Sequence, residues 1–310
     1  MMYGAGSHTY KLIEGWVKLP KEIPFTDVSS IAIDKEDRVY ALTRCLRPVM
    51  VFDREGNFLT SWGEGHFTRA HGISIGPDGA VYCTDDKNHT VSKFTPEGKL
   101  LMTLGTKDKP SDTGYRDVPD VFERIGSITH GGGPFNRPSG VSATTAGNIY
   151  VTDGYGNARV HCFNAQGKLL NSWGEPGPGP GQFRLPHAVR IDRENRLWVA
   201  DRENSRIQIF DASGDFLRQL TDFIRSTDIC IDPDNVVYVS ELCARVSILT
   251  IDGRLLARWS NENRPVGNPL FIAPHSVAVD SHGDLYVGEL GLAAKKIDRG
   301  LNSLLKFARQ

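Results

Sequence analysis

Three histidines hold equivalent places in a repeated frame, and imidazole is the side chain best suited to binding metals and moving protons near neutral pH. His71 opens "HGISIGPDGAVYCTD", His187 opens "HAVRIDRENRLWVAD" and His275 opens "HSVAVDSHGDLYVGE". Three further segments keep the frame but open on a hydroxyl residue. They are "SSIAIDKEDRVYALT" from Ser29, "SGVSATTAGNIYVTD" from Ser139 and "TDICIDPDNVVYVSE" from Thr227. In chain order the opening position reads Ser29, His71, Ser139, His187, Thr227, His275, so histidine alternates strictly with Ser or Thr.

The frame itself predicts how these residues are positioned. Each segment alternates apolar and polar residues, turns, and alternates again, which is a pair of strands joined by a hairpin. The turns "GPDG", "TAGN", "DPDN" and "SHGD" carry Gly, Asn and Asp, which tolerate the positive φ of tight turns. A third strand follows, such as "TVSKF" (90–94) or "RIQIF" (206–210), and then a fourth, such as "LLNSWG". Four antiparallel strands repeated about every 40 residues are the signature of a β-propeller blade.

The expected fold is therefore all-β: one six-bladed β-propeller domain over 1–310. Its blades fall at about 27–62, 69–105, 137–174, 185–221, 225–260 and 273–310. The last is completed by an N-terminal strand within 8–16, which would close the ring and leave no free sheet edge. An insert at 105–137, rich in Gly and Pro, reads as a surface loop over one end.

On a six-bladed ring, alternate blades lie about 120° apart. If the opening residue begins the innermost strand, His71, His187 and His275 converge on the axis. Zinc takes histidine nitrogens at roughly 2.0–2.1 Å and keeps an open position when only three protein ligands are present. One such histidine alone is more simply a strand-start residue bonding nearby backbone. Three in a single register point to a shared metal ion, with zinc the expected species.

The residues just after each hairpin are expected near the opposite end of the inner strand pair. Among them are Arg44, Tyr155 and Arg202. Guanidinium forks grip carboxylates with two parallel hydrogen bonds. A tyrosine whose phenol ordinarily titrates near about pH 10 becomes a general base when cations or a metal favour the phenolate. The competing role for such residues is structural. "DGYGNAR" and "DRENSR" read as blade-to-blade latches, Asp153 with Arg159 and Asp201 with Arg206.

The remaining composition narrows the function. The formal net charge is -1, so no basic face for nucleic acid or an anionic membrane is expected. No apolar run approaches a membrane helix. The five cysteines lack paired spacing, and the first residues lack a basic and apolar leader. The expectation is free thiols, a cytoplasmic location and a monomer.

The frames "VTDGYGNARVHCF" (151–163) and "GQFRLPHAVRIDRENRLWVADRENSRIQIF" (181–210) resemble the NHL-repeat family, and within it the peptidyl-α-hydroxyglycine α-amidating lyases. "AHGISIGPDGAVYCTD" and "APHSV" extend the resemblance from about residue 27 to about 290. It implies cleavage of a peptidyl-α-hydroxyglycine to an amide and glyoxylate. It implies zinc on His71, His187 and His275, catalysis by Tyr155, and substrate binding by Arg44 and Arg202. The substrate would be a small molecule or short peptide bearing a carboxylate.

The chain departs from the family in three places. Gly156 replaces a disulfide cysteine. Ala273 replaces a methionine that shapes the pocket. Ser276 replaces an aspartate that helps hold a structural calcium, which argues against calcium here. The alternatives are a non-catalytic NHL propeller that binds a partner, and another propeller enzyme of the lactonase or streptogramin-lyase type. Lactonase propellers set carboxylates and amides on the axis, where this chain has histidine.

Overall fold

The second strand of each repeat carries an aromatic residue at its second or third position: Tyr40, Tyr82, Tyr150, Trp198, Tyr238 and Tyr286. All six are buried. Rings of this size withdraw enough apolar surface to contribute roughly 1.5–3 kcal/mol each, and their polar tips need partners. The Trp198 indole donates to Asp192 at 2.9 Å, and the Tyr238 and Tyr286 hydroxyls donate to Asp232 and Asp280 at 3.0 and 3.1 Å. These aspartates also fold the adjoining turn. Asp192 accepts from the backbone N–H of Glu194 and Arg196, both at 2.9 Å. One short segment thus forms a turn and anchors a core ring. The turns take positive φ where the sequence places Gly or Asn: 78° at Gly79, 85° at Gly147, 61° at Asn235 and 81° at Gly283.

The computed structural model describes residues 1–262 and 267–310. The chain is an all-β, six-bladed β-propeller, one sheet per blade. Two compact units contain these sheets, Met1–His66 with Thr227–Gln310, and Phe67–Ser226.

In the first unit, one sheet runs from Val28–Ile33 to Phe58–Trp62 and another from the strand starting at Ser226 to Leu255–Trp259. The third sheet has five strands. His8–Ile13 pairs antiparallel with Leu304–Arg309, so the sequence's two end regions share it. The strand Met2–Ala5 extends it further and was not evident in the sequence. In the second unit the sheets begin at Ala70–Ile75, Pro138–Ala143 and Pro186–Ile191. Apolar clusters fill the spaces between sheets within each unit, for example Tyr150, Val160, Phe183, Leu197 and Phe210 in the second.

The insert is not a bare loop. It contains the helix Val121–Gly126, capped by Asp120, whose carboxylate accepts from Phe122 and Glu123 N–H at 2.8 and 2.9 Å. Among the described residues no helix is long and apolar enough to cross a membrane, and all five cysteines are free thiols.

Candidate active site

The opening position of the repeat is a β-bulge. Register shifts between Pro138 and Gly140, between Pro186 and Ala188, and between Pro274 and Ser276, which leaves Ser139, His187 and His275 out of the ladder. The same shift falls between Val28 and Ser30 and between Ala70 and Ile73. Proline is tolerated at a strand's first residue, and a bulge re-aims the side chain that it releases. This is why a histidine follows a proline in "LPHAV" and "APHSV".

The same pairing corrects one expectation. Pro138 pairs with Asp153, Pro186 with Asp201 and Pro274 with Glu289. The residues after each hairpin therefore lie at the same end as the histidines, not at the opposite end. An antiparallel hairpin returns to its own start, so Tyr155 and Arg202 are delivered to the mouth that His71 and His187 occupy.

The second unit brings four of the expected residues together. The Tyr155 hydroxyl lies 3.0 Å from Nε2 of His71 and 3.1 Å from Nε2 of His187. The two imidazole rings are 4.9 Å apart, centre to centre. Nη1 of Arg202 donates to the same hydroxyl at 3.0 Å. His71, His187 and Arg202 are buried, and Tyr155 is half-buried. Nδ1 of His71 donates to the Ser139 carbonyl at 2.8 Å. A carbonyl only accepts, so on the neutral imidazole Nε2 of His71 is left as the acceptor nitrogen.

In the first unit His275 repeats this arrangement, with Nδ1 donating to the Ser29 carbonyl at 2.7 Å. The alternation in sequence thus has a second meaning. Ser29 and Ser139 belong to the intervening blades and orient the histidine of the preceding blade through their backbone.

Charge is arranged around Tyr155. Burial works against the Arg202 guanidinium, but Tyr155 and Glu203 outweigh it and hold its pKa above the usual range. The Glu203 carboxylate accepts from Arg202 Nε at 2.8 Å and from Arg225 at 2.6 Å. Burial would raise its pKa, yet the two arginines pull it below the ordinary carboxylate value. A second cation, Arg69, lies 5.8 Å from the Tyr155 ring centre and is paired with Asp86. Both guanidinium groups attract negative charge that develops on the phenol oxygen. Arg69 was missed in sequence because "TRAHG" gives no periodic signal for it. Glu203 was passed over as part of "ADREN".

Two close approaches, one to backbone and one to a side chain, fix the tyrosine loop. A Cβ at Gly154 would sit 2.1 Å from the Pro186 carbonyl oxygen, and one at Gly156 would sit 2.2 Å from Asn136 Oδ1. Gly156 therefore cannot be the disulfide cysteine of the similar family without displacing Asn136. Hydrogen bonds fasten the loop instead: Gly156 N–H to Asn136 O at 3.0 Å, and Thr113 Oγ1 to Gly156 O at 2.6 Å.

Arg44 lies in the first unit, where its N–H donates to the Asp27 carbonyl at 3.3 Å and its charge acts on the Asp27 carboxylate. Arg206 pairs with Asp201 at 2.8 Å as expected, but across two adjacent strands of one blade and not between blades. Arg159 does not pair with Asp153. It bonds Glu175 at 2.6 Å, while buried Asp153 accepts from Asn136 N–H at 2.7 Å and Asn157 at 2.9 Å. Ser276 donates to Asp228 at 2.7 Å and accepts from Ile31 N–H at 2.9 Å, so its hydroxyl is engaged on both sides.

Comparison with known proteins agrees with this architecture. A family described as "6-bladed beta-propeller" matches residues 129–245. Human NHL repeat-containing protein 3 is 32% identical over 214 residues, covering 65% of this chain and 56% of that protein. Peptidyl-alpha-hydroxyglycine alpha-amidating lyase 2 of Drosophila melanogaster is 28% identical over 274 residues, covering 83% of this chain and 58% of its own length. The chain spans between 24% and 58% of the length of the curated relatives compared. A gluconolactonase from Xanthomonas campestris superposes with a TM-score of 0.65 over 100% of this chain and 95% of its own, at 11% identity, a likeness of fold alone. The chain is a six-bladed β-propeller related in sequence to NHL repeat-containing proteins and to the peptidyl-α-hydroxyglycine α-amidating lyases.

Proposed function

We propose that this protein is a metal-dependent carbon–nitrogen lyase that cleaves an N-acyl- or peptidyl-α-hydroxyglycine to an amide and glyoxylate. The observation that carries the reading is one phenol oxygen held by two buried imidazoles and a buried guanidinium. The name of the Drosophila relative supplies the reaction class.

His71, His187 and His275 would hold the ion. All three are buried imidazoles. The residues fit such an ion, because His71 and His275 each commit Nδ1 to a carbonyl and so present Nε2. Three imidazoles suit zinc, although copper and nickel bind such donors at least as tightly. Bound there, the ion would supply Lewis acidity to substrate oxygens.

Tyr155 is the proposed base. As phenolate it takes the proton of the substrate's hydroxyl. The O–H electron pair becomes the C=O of glyoxylate, the C–N bond breaks, and the departing amide nitrogen takes the proton that Tyr155 gained, which restores the phenolate. Arg202 holds the carboxylate that leaves as glyoxylate, its guanidinium fixed on one edge by Glu203. Arg44 is proposed as a second carboxylate-binding cation.

The test is product stoichiometry. Metal-loaded protein incubated with N-benzoyl-α-hydroxyglycine should release glyoxylate and benzamide in equal amounts, faster than the spontaneous reaction. A rate equal to that of the protein-free control would end the proposal.

A further inference from the structure

An arginine offers five N–H donors, and the number that the protein itself occupies separates structural from available ones. Arg206 commits all five, to Asp201, Gln219 and the carbonyls of Pro178, Gly179 and Gln182. Arg202 commits two, one to Glu203 and one to Tyr155. Arg69 also commits two: Nε donates to Asp86 Oδ1 at 2.6 Å, and Nη2 donates to Asp86 Oδ2. Its planar fork keeps three N–H without an acceptor among the described residues, on the edge away from Asp86.

Arg69 is firmly placed all the same. Its backbone N–H donates to buried Asp85 at 3.1 Å, and its carbonyl accepts from Asp86 N–H at 3.3 Å. Burial works against the guanidinium, but the hydrogen bonds and charge of Asp86 outweigh it and hold its pKa above the usual range. The side chain is 26% exposed, so a small molecule can reach it.

The two available arginines come from either side of Tyr155. Arg69 precedes Ala70–Ile75, and Arg202 belongs to the sheet that begins at Pro186–Ile191. The sheet of Tyr155, beginning at Pro138–Ala143, packs against both. Their Cζ atoms lie 5.8 and 5.2 Å from the Tyr155 ring centre. Their charges differ. Glu203 is shared between Arg202 and Arg225, which leaves that side positive, whereas Arg69 and Asp86 cancel.

We infer that Arg69 donates to the acyl carbonyl of the substrate and stabilises the negative charge that this oxygen gains as the amide departs. The inference rests on the lyase reading. The carbon that reacts carries a hydroxyl, a carboxylate and an acylamino nitrogen. Tyr155 takes the hydroxyl and Arg202 the carboxylate, which leaves the acylamino arm to the guanidinium on the other side. The positive cluster suits a carboxylate, and the neutral, directional pair suits a carbonyl. As the C–N bond breaks, its electron pair passes to nitrogen and spreads onto the acyl oxygen until the nitrogen takes its proton. Donors fixed in advance at such an oxygen act more strongly in the transition state than in the bound substrate.

The test uses metal-loaded protein and para-substituted N-benzoyl-α-hydroxyglycines, from methoxy to nitro, whose departing benzamides differ in acidity. Glyoxylate release is measured for wild type, Arg69→Gln and Arg69→Lys. Calorimetry measures binding of N-benzoylglycine, which lacks the hydroxyl and does not react. Arg69→Gln should lower kcat by roughly 10²–10³-fold for the methoxy compound, the range for losing an oxyanion donor. The loss should be clearly smaller for the nitro compound, so that kcat depends more steeply on benzamide acidity. Binding of N-benzoylglycine should weaken by less than about tenfold, as for one neutral hydrogen bond. Arg69→Lys keeps a cation against buried Asp86 and should fall between wild type and Arg69→Gln. Should the glutamine variant fail to fold, a steeper dependence in the lysine variant carries the test. Losses equal across the series, or no loss, overturn this role of Arg69 and spare the lyase reading. An unchanged slope with binding weakened far beyond tenfold would make Arg69 a carboxylate grip and overturns it too. No glyoxylate release by wild type ends the lyase reading, and this inference with it.

Discussion

The Tyr155 hydroxyl stands 3.0 Å from Nε2 of His71, whose other nitrogen is committed to the Ser139 carbonyl. A phenol in that place touches the proposed reacting centre without carrying the fold. Tyr155→Phe should therefore lower kcat by about 10²–10⁴-fold, the range for losing a positioned acid or base. Metal content and thermal midpoint should match wild type. Near-normal kcat would remove the proposed base.

Arg202 is the proposed grip on the carboxylate, and its planar fork cannot be reproduced by an ammonium. Arg202→Lys should cut kcat/KM by about 10²-fold or more, equivalent to about 2.7 kcal/mol. The loss should shrink when the substrate's carboxylate is replaced by a neutral amide. An equal loss for both substrates would place Arg202 outside carboxylate recognition.

The two latch arginines should separate cleanly in stability. Arg206 is buried and bonds Asp201, Gln219 and the carbonyls of Pro178, Gly179 and Gln182 at 2.7–2.9 Å. Arg206→Ala leaves a buried carboxylate uncompensated and should cost about 3–5 kcal/mol in urea unfolding. Arg159 and Glu175 form a pair open to water, with side chains 24% and 51% exposed. Arg159→Ala should cost about 1 kcal/mol or less. Similar values for both would show that burial does not set their worth.

Glu289 offers a pH test. Burial pushes its pKa from 4.5 up to about 7, against the pull of Arg299 and of the Ile272 and Ala273 N–H groups. The folded state then holds a proton that the unfolded chain releases at lower pH. Its contribution is full below about pH 4.5 and is lost as pH rises through about 7. In Glu289→Gln the thermal midpoint should fall less across that interval than in wild type. Parallel curves would mean that Glu289 is ionised throughout the interval.

Much of this was legible in the sequence because propeller repeats are periodic. The alternation in "VVYVSE" and the Gly and Asn turns marked the hairpins, and the alternation of His with Ser or Thr marked the candidate site. What the sequence hid is backbone chemistry and geometry that no residue type signals. Ser139 and Ser29 act through carbonyls that any residue has. Hairpin pairing set Tyr155 and Arg202 at the histidine end of the sheet, a consequence of strand direction that the linear reading had reversed. Arg159 pairs with Glu175 in place of Asp153, whose Oδ2 takes the Asn136 and Asn157 hydrogen bonds. The strand Met2–Ala5 and the helix at 121–126 are too short for periodicity to reveal.

The most direct test is the metal content of purified wild-type protein beside His187→Ala, by plasma mass spectrometry after zinc loading and desalting. The account predicts about one ion per wild-type chain, the stoichiometry of a three-histidine centre. It predicts little metal in the variant, with an unchanged circular dichroism spectrum. A wild-type chain that retains no metal, or a His187→Ala chain that retains as much as wild type, would contradict it.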